Sequence, residues 1–94
     1  MLSRVIAADP AQANPCYFLG RVYMQTDRPA DTDKAFGRAI VLAPDVYDFH
    51  LWYGRLLAEQ GETAGARREF AAALALNSDS AEAKAALANL RTAR

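Results

Sequence analysis

Apolar residues recur along the chain at the spacing of amphipathic helices, and breaker residues divide them into six segments. In residues 1–8, Leu2, Val5 and Ile6 form an i, i+3, i+4 stripe that ends before Asp9-Pro10. Residues 14–25 follow, with Pro15 suited to a first helical turn, where its missing N–H would lack a partner anyway. Thr26-Asp27-Arg28 makes a break, Pro29 opens a helix to residue 43, and Pro44 closes it. A fourth helix is predicted over 47–60 with Gly61 as its C-terminal stop, and a fifth over 63–76. Asn77-Ser78-Asp79 is the next break. The last helix runs over 80–92, with Asp79 and Glu82 at the spacing of a capping box whose cap is Asp79.

These segments repeat. A shift of 34 residues lays Gly20 on Gly54, Arg21 on Arg55, Phe36 on Phe70, Ala39 on Ala73 and Leu42 on Leu76. The same ruler places Leu2, Val5 and Pro10 one period before Phe36, Ala39 and Pro44, and Leu87 and Ala88 one period after Tyr53 and Gly54. A fixed period of this length marks stacked helical hairpins rather than a closed globule. On the first helix of each hairpin, Leu19, Gly20 and Tyr23, and then Tyr53, Gly54 and Leu57, are expected to share the packing face. On the second helix, Phe36, Ala39 and Ile40 are matched by Phe70, Ala73 and Leu74. Glycine in mid-helix costs about 1 kcal/mol relative to alanine, so two at equivalent places point to close helix approach. Largely buried positions should be Phe36, Ala39, Phe70, Ala73, Leu19, Tyr23, Tyr53, Leu57 and Leu87.

Leu19-Gly20-Arg21-Val22-Tyr23 followed by Phe36, Ala39 and Pro44 resembles the tetratricopeptide repeat (TPR). Gly61 and Ala66 stand where that family has its inter-helix glycine and small residue, whereas the first copy has Asp27 and Thr32 there. The second copy departs at Tyr53 (leucine in the family), Leu57 (tyrosine) and Ser78 (proline). The resemblance implies an all-α fold, a right-handed superhelical stack of antiparallel helix hairpins. It divides the single domain, 1–94, into a half repeat (1–12), two repeats (13–46 and 47–80) and a C-terminal capping helix (81–94). The half repeat begins inside a second helix, so Met1 reads as a cut point in a longer, bacterial-looking protein.

In this family the side of the first helices opposite the packing face lines a concave, peptide-binding groove. Here those positions are Tyr17, Phe18, Arg21 and Gln25, then Leu51, Trp52, Arg55 and Glu59, then Ala85, Ala86, Asn89 and Ala93. Guanidinium forks fit carboxylates and the aromatics offer broad apolar contact, so the expected ligand is an acidic-apolar segment of a protein or peptide partner. Clamping of a chaperone's C-terminal carboxylate is disfavoured, because Tyr17, Leu51 and Trp52 replace the lysines and asparagine that such members use. The competing reading is a structural module that self-associates, as a homo-oligomer, through the half repeat.

Charge removes other classes. Eleven bases balance eleven acids and are interspersed, which gives no electrostatic footprint for nucleic acid or an anionic membrane. The longest apolar run, residues 70–76, is far short of the roughly 20 residues of a membrane span. One cysteine allows no internal disulfide and leaves the compartment open, with a slight lean to the cytoplasm. Catalysis and cofactors are not expected. His50, the single histidine, and Cys16, one period earlier, both fall at inter-helix packing positions and lack the convergent partners of a metal or nucleophile site. Asp27 reads as a loop residue, and Asp31 and Asp33 as first-turn acids at the positive end of a helix.

Overall fold

A computed structural model describes the backbone of residues 13–92 and the side chains as far as residue 90. The expected first helix, with Leu2, Val5 and Ile6, lies outside the described residues, as does Ala93. Among those described there are five helices and no strand: α1 (Ala13–Gln25), α2 (Pro29–Leu42), α3 (Tyr47–Glu59), α4 (Thr63–Leu76) and α5 (Ala81–Thr92). They fall into two compact units divided between Asp45 and Val46. In the first, α1 and α2 form a hairpin; in the second, α3 and α4 form a hairpin and α5 packs on α4.

The two hairpin turns are built alike although their residues differ. The Arg28 N–H donates to the Tyr23 carbonyl (2.9 Å) and the Asp27 N–H to that of Met24 (3.3 Å). One period later Glu62 donates to Leu57 (2.8 Å) and Gly61 to Ala58 (3.1 Å). This is the Schellman closure of a helix C-terminus, which places its turning residue in the left-handed region. Gly61 takes it at φ 80° and Asp27 at φ 58°. The Thr26 hydroxyl adds a bond to the Val22 carbonyl (3.1 Å) in the first turn. Thr32, where the second repeat has the small Ala66, is fully buried, and its hydroxyl donates to the Arg28 carbonyl (2.9 Å), so burial leaves no orphan polar atom.

Each hairpin closes on a phenylalanine seated against a glycine. A Cβ added at Gly20 would stand 2.6 Å from the Phe36 ring, and one at Gly54 would stand 2.6 Å from that of Phe70. The sequence signal of mid-helix glycine therefore reflects ring-to-backbone contact. Phe36, Ala39, Phe70 and Ala73 are buried as expected, and in the second unit Leu51, Ala66, Phe70, Ala73 and Ala83 form one core. Leu57 and Leu87 flank that core half-buried; Tyr23 and Tyr53 are also half-buried. Leu19 is a correction, being 47% exposed. The face of α1 turned to Phe36 runs through Tyr17 and Gly20, three residues apart, and Leu19 is rotated away from it.

The start of α5 corrects a second expectation. Ser80, not Asp79, caps it: the Ser80 hydroxyl oxygen accepts the Ala83 N–H (3.0 Å) and is also hydrogen-bonded to the Tyr47 hydroxyl. Asp79 is drawn into the preceding turn, its N–H donating to the Asn77 side-chain oxygen (3.3 Å). Ser80 is the residue directly before Ala81 and is held in place by α3, which decides between the two candidates.

Candidate functional site

The proposed groove residues divide between the units. On α1, Tyr17 is only 7% exposed and its ring lies 6.0 Å from that of Phe36. On α3, Leu51 is 3% exposed and belongs to the core with Phe70. Both are packing residues, which corrects their assignment to an exposed groove. Each stands three residues before the glycine that receives the phenylalanine, so helical geometry turns both inward.

The others reach the surface. Phe18 is 57% exposed and its ring touches that of Tyr17 at 5.3 Å, while Gln25 is exposed beyond it. The Arg21 guanidinium lies 5.7 Å from the centre of the Tyr17 ring. In the second unit the Arg55 guanidinium stacks closer, 4.8 Å above Trp52, and Glu59 and Asn89 are exposed. The two arginines are one period apart yet choose different rings, the residue four before for Arg21 and three before for Arg55. A cation over an aromatic face gains about 0.5–1 kcal/mol at exposed sites and restricts the guanidinium.

Arg55 also has an anionic neighbour that sequence reasoning missed. Its Nη2 lies 3.3 Å from a carboxylate oxygen of Glu82, in the first turn of α5, with the arginine side chain 38% and the glutamate 64% exposed. Trp52, Arg55 and Glu82 thus form a part-exposed aromatic–cation–carboxylate set spanning α3 and α5. Nothing in the 34-residue ruler pairs positions 27 residues apart, and Glu82 alone reads as a first-turn helix acid. A different missed pair explains His50, whose Nδ1 meets a Glu69 carboxylate oxygen at 2.7 Å across α3 and α4, both largely buried. His50 is therefore an inter-helix tie, as its packing position implied, and the signal for its partner is a glutamate where the first repeat has Ala35.

Between α1 and α2 lies a cleft of about 250 Å³, lined by Cys16, Leu19, Tyr23 and Ala35 with Asp31, Lys34 and Arg38. Asp31 is engaged by Arg28 at 2.9 Å. No helix among the described residues is long and apolar enough to cross a membrane.

Against known proteins, the chain is 38% identical over 84 residues to the cytochrome c-type biogenesis protein CycH of Pseudomonas aeruginosa, a bacterial protein. The match covers 86% of this chain and 20% of CycH, so the chain spans about a fifth of that relative's length. The model of the family described as Tetratricopeptide repeat matches residues 28–90, from the turn before α2 through most of α5. With two glycine-seated hairpins and that match over most of its length, the chain belongs to the tetratricopeptide repeat family of helical-hairpin solenoids, typically non-enzymatic scaffolds whose repeats mediate protein–protein interaction.

Proposed function

We propose that the chain is a scaffold module whose first-helix faces bind acidic-apolar segments of a protein partner, the second unit through Trp52, Arg55, Glu59 and Asn89 and the first unit, taken by itself, through Phe18, Arg21 and Gln25. The observation that carries this reading is the Arg55 guanidinium, spread on Trp52 and already within 3.3 Å of a carboxylate. Glu82 stands where an incoming aspartate or glutamate would, and the indole supplies apolar area beside it. The likeness to CycH supports a place in c-type cytochrome biogenesis, the module holding a polypeptide partner of that process within a longer protein.

Trp52 is the single tryptophan and reports directly on this face. Titration with an acetylated, amidated peptide of alternating aspartate and leucine should change its fluorescence saturably. Arg55→Ala should weaken that binding about three- to tenfold, less than a buried charged hydrogen bond would give, because the guanidinium is part-exposed and shared. Saturable binding unchanged by Arg55→Ala would remove Arg55 from the site, and no binding at millimolar peptide would remove the acidic-apolar assignment.

A second reading, self-association, is favoured by one observation: Phe18 and Val22 lie one turn apart on α1 and both are more than half exposed. Light scattering over a dilution series tests it, and a constant monomer mass would exclude it.

A further inference from the structure

The period makes the two hairpins comparable residue by residue, and they differ at one inter-helix cleft. In the second hairpin His50 and Glu69 meet across α3 and α4 and occupy the space between the helices. In the first, those positions hold Cys16 and Ala35, two smaller side chains, and both line the open cleft of about 250 Å³. The volume is below the roughly 300–1,000 Å³ of small-molecule sites and suits an inserted apolar side chain instead. Its wall includes Leu19, an apolar residue left about half exposed.

The edge of the cleft has a definite charge. Asp31 is paired with Arg28, whereas no ion pair among the described residues engages Lys34 or Arg38, and both are exposed. They are one helical turn apart on α2, with Cβ atoms about 5–6 Å apart, so both cationic side chains rise from the same side of the helix beside an apolar hollow. An occupant that fills the hollow without meeting those cations would leave their complementarity unused.

We propose that this cleft is a docking site for an acidic amphipathic helix of a partner protein, which inserts a leucine-sized side chain between α1 and α2 and sets carboxylates one turn apart against Lys34 and Arg38. The site lies between α1 and α2 and does not depend on the Trp52–Arg55 reading.

The test uses the full chain, isotope-labelled, and a capped helical peptide of glutamate, alanine and leucine with leucines at i and i+4 flanked by glutamates. Backbone NMR signals of Leu19, Lys34, Ala35 and Arg38 should shift saturably, and binding should weaken as salt rises. Cys16→His with Ala35→Glu transplants the filling pair of the second hairpin and should weaken binding at least tenfold. Should that variant fail to fold, the exposed pair Lys34→Glu and Arg38→Glu serves in its place. It should lose the glutamate peptide and gain one with lysines instead. The proposal is overturned if the peptide leaves these signals unmoved or binds the charge-reversed protein equally well. It is also overturned if contacts to the Leu19 methyls come from residues 1–12 or from a second copy, with the peptide excluded.

Discussion

Alanine substituted for glycine at two positions of the first hairpin should move stability in opposite directions. At Gly20 the new methyl would sit 2.6 and 2.7 Å from two atoms of the Phe36 ring and 3.3 Å from the Ala35 methyl. Carbon atoms prefer about 3.5–4.0 Å, so the ring would have to retreat by roughly 1 Å. Phe36 is fully buried, with the Tyr17 ring 6.0 Å away, which leaves it little room. Overpacking of this kind costs about 1–3 kcal/mol, and an overlap this deep lies at the upper end. Alanine returns about 1 kcal/mol of helix propensity, for a net loss of about 2 kcal/mol. At Gly37, next to Phe36 on α2, an added Cβ meets nothing within 4 Å, so only the gain of about 1 kcal/mol remains. Urea and thermal unfolding followed by circular dichroism at 222 nm measure both. At about 4–8 °C per kcal/mol, Gly37→Ala should raise Tm by about 4–8 °C and Gly20→Ala lower it by about 8–16 °C. Phe36→Leu should be less damaging in the Gly20→Ala background than alone, because the two changes share one contact. A Gly20→Ala protein as stable as the parent, or additive behaviour with Phe36→Leu, would refute the ring-to-backbone account.

Asp27→Gly should stabilise the chain by about 0.5–1 kcal/mol in the same melts, since Asp27 takes a φ of 58° that glycine adopts without steric cost, less the entropy glycine adds to the unfolded chain. Ser80→Ala should cost about 1 kcal/mol through loss of the α5 cap, and hydrogen exchange should show earlier opening at the Ala83 amide. Glu82→Gln should strengthen acidic-peptide binding about two- to fivefold by removing the carboxylate that competes for Arg55, with Tm nearly unchanged because an exposed ion pair contributes little. A Glu82→Gln protein with unaltered affinity would mean that ligand and Glu82 do not share the guanidinium.

The repeat could be read directly because its determinants are local or periodic. Helices α1 to α5 lie within a residue or so of their expected ends, since prolines, glycines and 3.6-residue apolar spacing act over a few residues. That Gly20 and Gly54 mark close helix approach was legible as well, because a costly residue repeated at one period must be compensated somewhere in space, whereas the Phe36 and Phe70 rings as the approaching groups came from the folded hairpins.

The rotation of each first helix about its axis was decided only by tertiary packing. A stripe through Leu19, Gly20 and Tyr23 and one through Tyr17 and Gly20 differ by a fraction of a turn, and both are apolar enough to be buried. The Phe36 ring selects Tyr17 and leaves Leu19 outside. Partners far apart in sequence were likewise invisible: Glu82 for Arg55, Glu69 for His50, and Tyr47, whose hydroxyl meets Ser80 at the α5 cap. Sequence by itself determined the helices, their breaks and their period, because these follow from backbone preferences and burial along one chain. Only the folded hairpins determined which side chains face out and which charges meet, because those depend on distances between helices that no local pattern encodes.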